Sequence, residues 1–201
     1  MKRIFYAGLI CVCLIMLSHP AFAQSWELDI SAGANSATGG LHYRNYIETG
    51  FLKFGGTGLY ADHDDKKYYW GSVDFTVGTD TLAPGLTCGV GIRGLLGSAE
   101  EPRHKGDVGA VGFTGDVSYL FSREVTFVPI EVFSTLTYAP DSLSFQDSKS
   151  FTEFTLGAGV RLARSASILV SYTNYHLEME AGPGDWSLND DQFRIGLAMR
   201  F

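Results

Sequence analysis

Cysteine is nearly missing from this chain, with three in 201 residues. Cys11 and Cys13 lie within an apolar N-terminal run, so Cys88 stands alone beyond it and an internal disulfide there is excluded. A lipoprotein leader is not expected, since it needs a cysteine just after its apolar run. Base is short too: Lys and Arg number 15 against 22 Asp and Glu. So acidic a chain offers nucleic acid no phosphate-binding surface. Past residue 23, no apolar run reaches the roughly 18 residues that mark a helical membrane span. No nucleophile–base pair stands at fixed spacing, and the D-x-D-x-D-G pattern of a helix-loop-helix calcium site is absent.

Alternation is what the chain has instead. Its last residues set Phe193, Ile195, Leu197, Met199 and Phe201 against Arg194, Gly196, Ala198 and Arg200. A period of two puts the apolar set on one face of a strand and both arginines on the other. A strand that closes a membrane barrel, with lipid outside and polar matter inside, reads this way. About ten such segments follow one another, at 25–34, 39–48, 51–61, 68–78, 85–97, 110–121, 125–138, 151–163, 167–177 and 192–201. Most match the ~9–11 residues of a tilted membrane strand. The 24 glycines exceed the usual ~7% and sit inside these segments, where they permit the bending that a small closed barrel needs. Pro129 falls inside the seventh segment, so a bulge is expected there. The third segment, with Gly55, Gly56 and Gly58, has the least defined register.

The connections alternate in length. Glu48-Thr49-Gly50, Ser122-Arg123-Glu124 and Arg164-Ser165-Ala166 are short, and Thr79 to Pro84 only somewhat longer. Asp62 to Lys67, Ser98 to Val108, Pro140 to Ser150 and Glu178 to Asp191 are longer and charged. The first connection on that second side, around Asn35 to Thr38, is short. Short turns at one end and charged loops at the other is the up-and-down pattern of outer-membrane barrels. The turns would face the periplasm and the loops the exterior.

The N-terminus agrees. Lys2 and Arg3 precede an uncharged apolar run, Ile4 to Leu17, and Ala21-Phe22-Ala23 has the small-x-small form of a cleavage site. The expectation is a cleaved signal peptide over 1–23 and a single barrel domain over 24–201. This leader holds two of the 15 basic residues and no acid, so cleavage leaves the chain more acidic still.

With the apolar sets turned to lipid, the inward face collects both signs of charge. The acids are Glu27, Asp29, Asp74, Asp116, Glu131 and Glu153; the bases are Arg44, Lys53, Arg93, Arg161, Arg194 and Arg200. Charges in a narrow interior must be paired and hydrogen-bonded, and arginine meets carboxylates bidentately. About ten strands leave little room beyond the side chains. The lumen therefore reads as a plug of ion pairs, with a narrow pore for small polar solutes as the alternative.

Chemistry has few candidates. Asp62-His63-Asp64-Asp65, with His176 and Glu178 on the same rim, would suit a hydrolase at the barrel mouth as a second alternative. Any solvated rim would carry the same residues, so neither a catalytic nor a metal or cofactor site is expected. His104 beside Arg103 and Lys105 reads as a solvated loop residue, and His42 as an inward hydrogen-bonding partner. Glu178, Glu180, Asp185, Asp190 and Asp191 form an acidic last loop whose functional reading is cation-bridged contact with the outer leaflet. Trp186, Tyr43, Tyr60, Tyr69, Tyr138 and Tyr172 are expected as interfacial anchors.

Tyr138-Ala139-Pro140-Asp141-Ser142-Leu143-Ser144, which follows a strand carrying Glu131, resembles the Tyr-Ser-Pro-Asp-Ser-Leu stretch of the YfaZ-type family of exported bacterial proteins. Alanine replaces the family's serine at 139. The similarity extends loosely through Gly157-Ala158-Gly159-Val160-Arg161 and Val170-Ser171-Tyr172 to Phe201, and the acidic Asp62–Asp65 turn also looks like a family feature. The resemblance implies an outer-membrane barrel and supplies no catalytic residues.

The residues together imply a closed antiparallel up-and-down transmembrane β-barrel of about ten strands in an outer membrane. Its expected role is structural or in envelope interaction, with the exterior loops as contact surface. Outer-membrane lipid and the barrel-assembly machinery, met through the terminal strand, are its expected partners; the sequence identifies no exterior partner. A soluble lipocalin-like barrel also alternates, with the apolar faces inward.

Overall fold

The computed structural model describes residues 24–201 apart from 64, 122–125, 127, 164 and 182–183. The leader expected at 1–23, the turn expected at 122–124, Asp64 and Arg164 lie outside the described residues. Among the described residues, alternating segments become β1 (Gln24–Ala32), β2 (Ser36–Ile47), β3 (Gly50–His63), β4 (Lys66–Thr79), β5 (Leu86–Glu101), β6 (His104–Leu120) and β7 (Ile130–Ala139). A single 3₁₀ turn, Asp141–Leu143, leads into the short β8 (Ser144–Gln146). The wall is completed by β9 (Ser148–Ala163), β10 (Ala166–Ala181) and β11 (Gly184–Arg200).

All pairings are antiparallel. β1 to β7 pair in sequence order, β7 pairs with β9, and β9, β10 and β11 follow. β11 returns to β1, with Glu27 opposite Arg200 and Ala32 opposite Ile195. Ten strands thus close into a barrel, and closure removes the exposed edges that an open sheet would present. Beyond the barrel ladder, Trp26 and Phe201 exchange both backbone hydrogen bonds at 2.7 and 2.9 Å.

Three details depart from the sequence pattern. Pro129 does not bulge a strand: β7 begins one residue later, and its ladders with β6 and β9 run without a shift. Proline lacks only its N–H, and its carbonyl accepts from Arg161 N–H at 3.0 Å. The bulges fall in β9 instead, where Leu162 and Lys149 are skipped in the pairing with β10. β3, for all its glycines, keeps an unbroken register with both neighbours.

The largest departure concerns the exterior loops. The stretches 62–67, 98–108 and 178–191 are mostly strand, as β3–β4, β5–β6 and β10–β11 hairpins rise well past the membrane-length segments. β7 stops short at Ala139, and β8 takes its place beside β6, pairing Val108 with Gln146 and Ala110 with Ser144. The Tyr138–Ser144 stretch makes this reversal. Leu143 N–H and Ser144 Oγ each donate to the Pro140 carbonyl, both at 3.0 Å. Gln146, at φ 61, turns the chain back into β9.

Candidate functional site: a lumen in two storeys

Side-chain direction divides the wall. On the outer face Val73, Phe113, Phe193 and Leu162 are about 60% exposed. With Phe54, Val90, Ile92, Leu156 and Ile195 they form an apolar belt. Among the described residues, this face carries the expected apolar sets of β4, β5, β6, β9 and β11. Tyr60, Tyr69, Tyr138 and Tyr172 ring its upper margin, where aromatic residues anchor a barrel at the membrane–water interface.

The lower storey of the interior is polar. Glu27 lies between Arg200 at 2.9 Å and Arg44 at 3.7 Å. Glu131 lies between Arg161 at 3.1 Å and Arg200 at 3.7 Å. Arg93 pairs with Glu153 at 3.0 Å, and Lys53 stands 4.0 Å from Asp116. His42 spans Asp29 at 3.5 Å and Asp74 at 3.2 Å. Alternate residues of β1–β7, β9 and β11 supply this set because period two leaves their apolar neighbours on the lipid side. Apart from Arg161, these groups line a cavity of about 290 Å³. Arg194 joins them without a carboxylate: its terminal nitrogens reach Thr173 Oγ1 at 2.7 Å, Gln192 Oε1 at 3.0 Å and the Tyr175 hydroxyl at 3.2 Å.

The upper storey is dry. Leu59, Ala61, Tyr68, Trp70, Leu95, Ala99, Val108, Ala110, Ala139, Phe151, Tyr175, Leu177, Met179, Trp186 and Leu188 form one buried cluster inside the exterior half of the wall. Trp70 meets Phe151 at 5.6 Å and Tyr175 at 5.2 Å edge-on, and stacks on Tyr68 at 4.8 Å. Rings in such geometries add to the burial of their area. Outside this storey the wall is polar, with Asn174, His176, Glu178, Ser187, Asn189 and Asp191 facing out. Polarity therefore inverts across the wall at the tyrosine ring. Below it the barrel is greasy outside and charged inside, and above it the reverse.

This inversion corrects several expectations. Trp186 is no interfacial anchor; it is 8% exposed, inside the wall, stacked on His104 at 5.6 Å. His104 is accordingly half-buried rather than a solvated loop residue. Asp190 does not belong to a solvated loop either. It is buried in β11, accepting from the Tyr68 hydroxyl, from Gln192 Nε2 at 3.0 Å, and lying 3.0 Å from His63 Nε2. Asp191, one residue on, faces out and accepts from Tyr172 and Asn174, both at 2.7 Å. His63 and His176 consequently stand on opposite faces of the wall: His63 meets inward Asp190, whereas His176 meets outward Asn189 and lies 3.5 Å from Glu178. Among the described residues His63 and His176 thus meet different partners and not each other. Among the described residues, no group of three or more His, Cys, Asp or Glu is placed to hold a metal ion. On the rim, the Tyr60 hydroxyl (2.8 Å) and Lys67 (3.2 Å) hold the Asp62 carboxyl below its ordinary range.

Sheet closure, the apolar belt and the polar lower lumen define a transmembrane β-barrel of the outer-membrane type. No family model matches the sequence, and neither does any curated protein. Solved structures that align with it include the copper transporter OprC, at 15% identity over 88% of this chain and 34% of that one, with a TM-score of 0.34. This chain thus spans about a third of OprC. NanC porin aligns at 11% identity over 88% and 99% of the two chains, with a TM-score of 0.41. KdgM porin in complex with disordered oligogalacturonate aligns at 10% identity over 88% and 99%, with a TM-score of 0.39. The likeness is one of architecture.

Proposed function

We propose that the protein is a closed-lumen barrel of the outer membrane with a structural or envelope-interaction role, its water-facing exterior hairpins being the contact surface. The observation that carries this reading is the dry cluster across the exterior half. Tyr68, Phe151, Leu177, Met179 and Leu188 are 0% exposed, which among the described residues supports a packed rather than open exterior half. Export by a cleaved leader, engagement of assembly machinery by the strand ending at Phe201, and a place in the YfaZ-type family belong to the same proposal. The apolar belt and the tyrosine ring support lipid contact, and the acidic β10–β11 hairpin supports cation-bridged contact with anionic headgroups.

A narrow pore is the second reading, favoured by the charged chamber that reaches from the turn end to Trp70 and Tyr175. It requires the dry cluster to move. Planar-bilayer recording separates the two. The closed reading expects no stable open level from the unaltered protein, and a new small conductance from Trp70→Ala combined with Phe151→Ala. A stable conductance in the unaltered protein would replace the first reading with the second.

A further inference from the structure

The lower chamber has a roof, and the roof carries a charge that the rest of the lumen does not neutralise directly. Arg194 is 5% exposed, lines the cavity, and takes part in no ion pair among the described residues. Thr173, Tyr175 and Gln192 give its terminal nitrogens only neutral oxygens, and its Nε has no hydrogen-bond partner. On its own strand the next acid along the inward face is Asp190, and Gln192 holds the two apart, bonding each at 3.0 Å. Arg44, Arg93 and Arg161 share the unpartnered Nε, but they and Arg200 each have a carboxylate within 3.7 Å. A buried charge without a paired counter-charge is costly, and with the terminal N–H groups of Arg194 already on neutral oxygens, its Nε–H is the donor left for an anion.

The surroundings narrow the ligand further. Thr57, Ser72, Thr114, Thr135, Thr155 and Ser171 line the chamber, offering hydroxyls that donate and accept. Glu27, Arg200 and Arg161, toward the turn end, keep 18–30% of their side chains accessible, so access is from that end. The dry cluster closes the other. Hydroxyl-bearing walls suit a hydroxylated body, and about 290 Å³ suits a molecule of a few carbons.

We propose that the lower chamber is a binding site for a small hydroxylated carboxylate, admitted from the turn end and held at its carboxylate by Arg194. The site rests on the closed reading given above, because only a roofed chamber retains a solute beneath Trp70.

The test uses the full chain folded in detergent, with gluconate as probe and glucose as the neutral control. Calorimetric titration is expected to show saturable gluconate binding and no glucose binding. Arg194→Gln should weaken gluconate at least tenfold, whereas Lys105→Gln, on the exterior rim, should leave it unchanged. Should Arg194→Gln fail to fold, a second measurement needs no change at Arg194. In a Trp26→Phe/Trp186→Phe protein the remaining indole is Trp70, and gluconate alone is expected to shift its emission. Absence of saturable binding up to about 10 mM, a range covering even weak solute sites, would overturn the proposal. So would equal binding of glucose, or unchanged affinity in a folded Arg194→Gln protein. Failure of the closed reading looks different: it gives a stable bilayer conductance, whether or not gluconate binds.

Discussion

If the exterior half of the barrel is a water-facing shell around a dry core, leucines above and below the tyrosine ring must answer differently to truncation. Leu188 and Leu197 both lie in β11, nine positions apart. Leu188 points inward and is 0% exposed; Leu197 points outward, 39% exposed toward lipid. Removing the Leu188 side chain leaves a cavity bounded by protein, and buried leucine-to-alanine changes cost about 2–5 kcal/mol. We expect about 3 kcal/mol for Leu188→Ala. Acyl tails are as apolar as leucine, and being fluid they fill the space left by Leu197→Ala. That change should cost under about 1 kcal/mol. Arginine reverses the order. Leu197 lies near the middle of the belt, where a lipid-facing arginine costs about 2–4 kcal/mol. Ser187→Arg, exposed and opposite Glu178, should stay within about 0.5 kcal/mol. Urea unfolding from lipid vesicles, compared at equal slope, measures all four. Equal losses for the two alanine variants, or a greater loss at Leu197, would refute the inverted wall.

Two further outcomes follow from the lower storey and the rim. Arg200 links Glu27 and Glu131, so Arg200→Met should cost about 3 kcal/mol, near the lower bound for breaking a buried pair because Arg44 and Arg161 remain. Lys105→Met, in an exposed pair with Glu100, should cost under about 1 kcal/mol, and equal costs in the same unfolding assay would count against a desolvated network. At the rim, the Asp62 carboxyl is held below its ordinary value of 3.8 by Tyr60 and Lys67. A depressed folded value means that its stabilisation is complete above 3.8 and fades as pH falls through the lower value. Amide-exchange protection of the β3–β4 hairpin should therefore hold down to about pH 4 and drop below it in the unaltered protein; an Asp62→Asn protein should lack that pH-dependent component, and one that keeps it would refute the assignment.

Much of the wall was legible because period two is a local signal. The strand that ends at Phe201 alternates as a local pattern, and of the six acids and six bases named from the pattern all but Arg194 lie within 4.0 Å of an opposite charge or of His42. What the sequence concealed was the medium on each side. Alternation says which residues share a face, and only an assumption about solvent says which face is wet. In β10 the apolar residues are Ile168, Val170 and Tyr172, then Tyr175, Leu177 and Met179, so the phase slips by one residue between 172 and 175. In β11 it slips back between Leu188 and Phe193. Glu178, Glu180 and Asp191 made these stretches look like loop, because charge beside an apolar residue resembles a solvated turn unless the phase is followed.

A phase slip without a bulge has a definite physical meaning. The register of β10 against β11 stays unbroken from Ala166 to Ala181, so the backbone does not rotate and each side chain keeps its side. The change must then lie in the surroundings: lipid outside and ionic lumen within on one stretch, water outside and packed side chains within on the next. The slip consequently marks the height of the membrane surface on each strand. β10 and β11 place it just above Tyr172, and Tyr60, Tyr69 and Tyr138 are further exposed outward tyrosines on β3, β4 and β7. Most of the ion network lies below that level, with Asp190 and His63 as an inward pair above it; there water already solvates the outer wall, and burying apolar side chains within becomes the favourable choice.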